Sequence, residues 1–168
     1  MRTATKKRTV ADRIKHLKPC SEAMEWAAGY TSPAKAWAEC ERGDWMLWLT
    51  GSLSGKPGSE ARKTLVLCAC ECARLALPYV TAGEKRPLAA IETAERWARD
   101  EAGVTLAAAD YADCAAAHCA AAHCAAHCAD YAAAQCAANA YSANAVLKDC
   151  ADIVRKHYPR PPKITRAK

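Results

Sequence analysis

The chain contains no phenylalanine, only seven glycines, and no run in which β-branched residues alternate with polar ones across its 168 residues. Without period-two alternation there is no material for half-buried strands, so a sheet fold is excluded. Aromatic anchoring falls to five Trp and six Tyr. No stretch has membrane-spanning quality. The longest helix-compatible run is interrupted by Asp110, Asp113, Asp130, Gln135 and Asn139, and it lacks the Leu, Ile and Val density that a bilayer demands. Among eleven cysteines no C-x-x-C pair and no zinc-finger spacing occurs. Gly55-Lys56 hints at a phosphate loop, but Pro57 stands where Ser or Thr must meet magnesium, which removes that reading.

What is present is helix punctuation. Thr9 is expected to cap a short helix through Leu17, closed by Pro19, and Ser21 a second, Glu22 to Ala28, ending at Gly29. Ser32-Pro33 opens a third, which runs to about Arg42 with Gly43 as its terminator, and Asp44 caps the next, Trp45 to Leu49. Ser59 starts a helix from Glu60 to about Leu77, with Leu65, Cys68, Cys72 and Leu75 facing inward. Pro87 opens another, Leu88 to Ala102, burying Ile91, Ala94 and Ala98 and pairing Glu92 with Arg96 and Glu95 with Arg99. The last, Ala145 to Tyr158, is amphipathic through Val146, Cys150, Ile153 and Val154, and Pro159 stops it. Trp26, Trp37, Trp45 and Trp48 are expected to build an aromatic N-terminal core.

Gly and Pro are absent from Leu106 to Asn144, and Ala fills 21 of the 39 positions 107–145, interspersed with five Cys and three His. A single straight helix from Leu106 to Tyr158 would reach about 80 Å, so the tract is expected to turn back between His127 and Asn144 as a long Ala-rich hairpin. Cys and His are zinc and copper ligands. On a helical wheel, however, Cys114, His118 and Cys136 share one sector, Cys119, His123 and His127 lie opposite, and Cys124 and Cys128 fall between. No face collects a full ligand set, so a site would need a partner such as the i,i+4 pair Cys68/Cys72. The other use of the same residues is as small hydrophobes in a close-packed interface. The expectation is no resident metal or cofactor, with a Cys/His-rich bundle binding zinc or copper(I) as the alternative. Tyr111 and Tyr131, each inside Ala-Asp-Tyr-Ala, are read as interface anchors.

The net charge of +6 is unevenly spread: residues 1–18 hold seven Lys/Arg against one Asp, and residues 148–168 hold seven against two acids. The body between them is acidic. The expected organisation is a basic N-terminal segment 1–18, one helical domain 19–158, and a basic tail 159–168. The basic ends lack interleaved aromatics or a reading motif, so they are taken as solvated termini rather than nucleic-acid grips. The odd number of cysteines and the lack of an apolar stretch after Met1-Arg-Thr-Ala-Thr-Lys-Lys-Arg8 argue against a secreted disulfide scaffold and for a reducing cytoplasm.

Three segments taken in order carry a resemblance: Trp37-Ala-Glu-Cys-Glu-Arg-Gly-Asp-Trp-Met-Leu-Trp48, then Cys68-Ala-Cys-Glu-Cys-Ala-Arg-Leu-Ala-Leu-Pro78, then Gly83-Glu-Lys-Arg-Pro87 through Ala94-Glu-Arg-Trp97. With the Ala-rich tract and the basic Ile153-to-Pro159 ending, the chain resembles the immunity protein family, Ala-rich helical proteins of bacteria and phages. It departs from that family in placing Cys and His in the tract where relatives have Tyr, Asp, Arg and Ala. The resemblance implies an all-α, single-domain helical bundle and a non-catalytic, immunity- or antitoxin-like protein that neutralises a toxin by binding it. No catalytic residue comes with it. Cysteine–histidine pairs on a repetitive helix also lack the orienting third group and the cleft of a nucleophilic site, so no enzyme is expected. The partner-binding residues expected are Glu39, Glu41, Asp44, Trp45 and Trp48, an acidic, Trp-bearing stretch suited to a basic protein partner, with neither membrane nor nucleic acid involved.

Overall fold

The computed structural model describes residues 7–56, 58–79, 83, 85–104 and 140–164. Residues 105–139, with most of the Ala tract, the Tyr anchors and the ligands at 114–136, lie outside the described residues; of the window expected to hold the turn, His127 to Asn144, only 140–144 is described, and it is helical. Seven α-helices are described: α1 Val10–Ile14, α2 Ser21–Ala28, α3 Pro33–Glu39, α4 Gly43–Leu53, α5 Glu60–Arg74, α6 Arg86–Ala98 and α7 Ala140–His157, with 3-10 turns at Lys15–Leu17 and Leu77–Tyr79. Among the described residues there is no strand, and the protein is all-α. No helix among them is long and apolar enough to cross a membrane.

Side-chain caps start α1, α3 and α5. Thr9 Oγ1 accepts from the Asp12 amide at 3.2 Å while Asp12 accepts from the Thr9 amide at 3.0 Å, a reciprocal capping box. Ser32 and Ser59 accept from the amides of Lys35 and Arg62. α2 starts one residue before its expected first residue: Cys20 is the cap, its carbonyl taking the Met24 amide at 3.1 Å, and Ser21 is already helical.

α7 begins at Ala140, five residues ahead of the expected Ala145, and α4 runs on to Leu53 past the expected Leu49; α3 and α6 depart at their ends as well. α3 stops at Glu39 rather than Arg42, because Arg155 of α7 reaches its open end and donates to the carbonyls of Trp37 and Cys40 at 3.2 and 2.7 Å. Those carbonyls have no partner within the helix. Gly43 is therefore released from ending α3 and begins α4 instead. α6 ends at Ala98, with Asp100 rather than Gly103 as its left-handed stop at φ 57°. The Glu101 amide bonds the Arg96 carbonyl and the Asp100 amide that of Trp97, a Schellman closure. Lys63 of α5 clasps the Asp100 carboxylate at 2.6 and 2.7 Å. α5 also gives way earlier than expected, at Arg74.

The main core gathers around α5, with α6 and α7 against it and α4 packed on α7. Leu65, Val66, Cys68, Cys72, Ile91, Ala94, Cys150 and Val154 are all buried there, and Leu75, Val146 and Ile153 pack partly buried against it. A second cluster joins Val10, Ala11 and Ile14 of α1 to Ala27 and Ala36, with Ile164 of the C-terminal segment packed on it. Parts of both basic ends are thus folded onto the body instead of standing in solvent. The charges stay outside while the apolar residues between them are drawn in.

The surface of α2, α3 and α4

The expected partner-binding residues lie around the short helices α2–α4, and the structure treats each differently. Asp44 does not cap α4. It sits in the first turn, and its carboxylate is held in a fork by Arg42 at 2.9 and 2.6 Å, leaving the side chain 13% exposed. The same guanidinium approaches Glu22 at 3.5 Å and stacks 4.3 Å over the Trp45 ring. Glu41 is exposed and paired with Lys148 of α7 at 2.9 Å. Glu39 is exposed, with Lys35 at a looser 3.8 Å. Burial raises the Tyr30 phenol above its usual range, and the neighbouring Glu39 carboxylate raises it further. All three predicted acids thus have a cation within 4 Å, so the field that a basic partner would meet is weaker than the sequence suggests. Glu39 is the least committed of them.

Three of the four tryptophans join one apolar cluster, and Trp48 stands outside it. Trp37 is buried, its Nε1–H donating to the Tyr158 carbonyl at 2.9 Å. Trp26 and Trp45 are half-buried, with ring centroids 5.9 Å apart, and the Tyr30 ring lies tilted by 40° against Trp26 at 4.6 Å. Trp48 is 36% exposed. Helices of seven to eleven residues cannot turn every indole inward, so the aromatic side continues to the surface. There it forms the wall of an apolar groove that is also lined by Ile14, Leu49, Pro161 and Ile164. Sequence reasoning missed the part played by Pro161 and Ile164, having set residues 159–168 apart as a basic tail.

Cys68 and Cys72 are sealed in the core at 0 and 1% exposure, facing α7. The Cys72 thiol donates to the Cys150 carbonyl at 3.8 Å, and Cys70 donates to the Ile91 carbonyl at 3.7 Å. The neighbouring thiols of Cys150 and Cys68, together with burial, push the Cys72 thiol far up; burial also raises the Cys40 thiol. Thiols in this state pack as small hydrophobes and resist ionisation. Among the described residues no three His, Cys, Asp or Glu side chains converge as a metal site would require. Nearby, the Tyr158 hydroxyl is buried and unpartnered among the described residues, and burial pushes its phenol up to about 12.

Comparison with protein-family models, curated proteins and solved structures finds no match for this chain.

Proposed function

We propose that the chain is a non-catalytic binding protein, immunity- or antitoxin-like, that neutralises a toxin in the cytoplasm of a bacterium or phage-infected cell by covering it with the α2–α4 surface. The observation that carries this reading is Trp48 left open beside half-buried Trp26, Trp45 and Tyr30. Large aromatics on a rigid face are the usual anchors of protein interfaces. The face is held rigid from behind, since Arg155 and the Trp37 bond to Tyr158 tie α3 to α7. Glu39 supplies the charge that steers and registers a basic partner.

The test is co-expression with the toxin encoded beside this gene, read as restored growth. Trp48→Ala, and Glu39→Lys with Glu41→Lys, are expected to abolish rescue while the helical circular dichroism is retained; the charge reversals at exposed ion pairs change stability by about 1 kcal/mol or less, and Trp48→Ala, which removes part of the groove wall, by more. Asp44→Asn is expected to lower stability instead, because it unmakes the Arg42 fork. If no neighbouring gene is toxic, or if the Trp48 and Glu39/Glu41 variants protect as well as the parent, the reading fails.

A further inference from the structure

The segment that leaves α7 reads Tyr158-Pro-Arg-Pro-Pro-Lys-Ile164, with prolines at 159, 161 and 162. Each proline fixes φ and lacks an N–H, and each residue before a proline is pushed into extended conformations. The chain bends at Pro159 and Arg160, and beyond the bend residues 161–164 are biased toward the left-handed polyproline helix, whose three-residue turn puts positions i and i+3 on one edge. Pro161 and Ile164 are three apart, and both line the apolar groove whose wall includes Trp26, Trp37, Trp45 and Trp48. Lys163, between them, is exposed. The Tyr158 carbonyl, bonded to Trp37 Nε1 at 2.9 Å, registers the segment at its start. Beyond that point no main-chain hydrogen bond among the described residues fastens 159–164. Side-chain packing alone seats it, and a void of about 60 Å³ remains in the groove.

An aromatic-walled groove that holds a proline-rich strand by its i,i+3 edge is a known solution to peptide recognition, effective because the strand has little conformational entropy left to lose. We infer that the α1–α4 groove is a recognition site for proline-rich, basic peptide segments, and that the chain's own Pro161–Ile164 is its resident occupant, displaced by a partner's segment of Pro-x-x-aliphatic spacing. The basic character follows from the occupant's exposed Lys163, with exposed Arg160 just before it, and from exposed Glu22, Glu25 and Glu39 on the helices that wall the groove, of which Glu22 and Glu39 are partly answered by Arg42 and Lys35. Incomplete filling makes displacement feasible, because a side chain larger than Ile164 would occupy apolar space that the resident segment leaves empty. The inference rests on α2–α4 being the binding face and adds the class of segment it takes and the contact that regulates access.

The probe is an acetylated peptide copying residues 158–168, titrated into the full-length chain and into its full-length Pro161→Ser/Ile164→Ser variant while Trp emission is followed. The variant is expected to bind saturably and the parent at least about tenfold more weakly, since a tethered competitor acts at high effective concentration. A peptide with serine at the positions of Pro161, Pro162 and Ile164 is expected not to bind. A folded variant that ignores the copy peptide, equal binding by parent and variant, or equal binding of the serine peptide would each overturn the proposal. Should the variant lose its helical circular dichroism, the parent decides at millimolar peptide: a saturable Trp shift supports displacement, and none overturns it. Toxin rescue without peptide binding removes this inference and leaves the binding reading standing; peptide binding without rescue does the reverse.

Discussion

Gly43 illustrates how one residue can matter through the side chain it lacks. A Cβ placed there would come within 2.6 Å of the Ala151 amide nitrogen and 2.7 Å of the Cys150 carbonyl carbon, main-chain atoms that cannot turn aside. Gly51, further along the same helix, would bring its Cβ to an ordinary 3.5 Å from Leu65 Cδ2. The two positions predict opposite outcomes for one substitution. Gly43→Ala forces α4 off α7 and is expected to cost about 1–3 kcal/mol, as overpacking does, with a fall of several degrees in melting temperature. Gly51→Ala removes a flexible residue from a helix interior and is expected to gain up to about 1 kcal/mol. Paired thermal melts check both, and a Gly43→Ala variant as stable as the parent would contradict the close α4–α7 approach.

Between elements, the polar ties sit at helix ends and edges. Arg74 of α5 forks onto Glu95 of α6, its Nε–H and Nη2–H each donating to one carboxylate oxygen at 2.9 Å, and Arg99 adds a contact at 3.6 Å. The Arg74 hydrogen bonds hold the Glu95 carboxyl below its ordinary 4.5. A carboxyl whose folded value is depressed stabilises the fold above its unfolded value and loses that contribution as pH falls through the folded one. The melting-temperature gap between the parent and Glu95→Gln is therefore expected to be full at pH 7, to shrink below about pH 4.5 and to vanish once Glu95 is protonated in both states. A gap independent of pH would mean that Glu95 acts by packing and not by charge. Arg96 shows how such ties escape sequence pattern: the i,i+4 partner Glu92 was expected, yet its guanidinium takes Glu101 at 3.3 Å beyond the Schellman turn.

Among the described residues, two apolar clusters share Trp26 and Leu49, so the N-terminal helices and the α5-centred core are packed as one unit. Thiol chemistry can follow that unit as it opens. Cys20 is exposed, whereas Cys40, Cys68, Cys70, Cys72 and Cys150 are buried. In native buffer an alkylating reagent is expected to modify Cys20 promptly and to leave those five protected, with peptide mass mapping to separate them. In rising denaturant the five are expected to become reactive together, at the midpoint of helix loss. Rapid native labelling of Cys68 or Cys72 would show that the α5–α7 interface opens on its own and would return those thiols to consideration as ligands.

The all-α class, the caps at Thr9, Ser32 and Ser59, and the inward stripes of α5, α6 and α7 were legible in the sequence, because each depends on residues within one or two helical turns. Where α3 and α6 end was not legible, since Arg155 lies more than a hundred positions from the carbonyls it caps and Lys63 far from Asp100. The candidate surface divides along the same line. Sequence alone marked Trp45, Trp48 and the acids around them. Only the tertiary structure decided that Asp44 is spent on Arg42, that Glu41 answers to Lys148, and that Pro161 and Ile164 come back from the C-terminal end to line the Trp groove. Side-chain chemistry is local and can be read in order, whereas the partner each group finds is set by long-range packing that buries some charges against each other and leaves others to solvent.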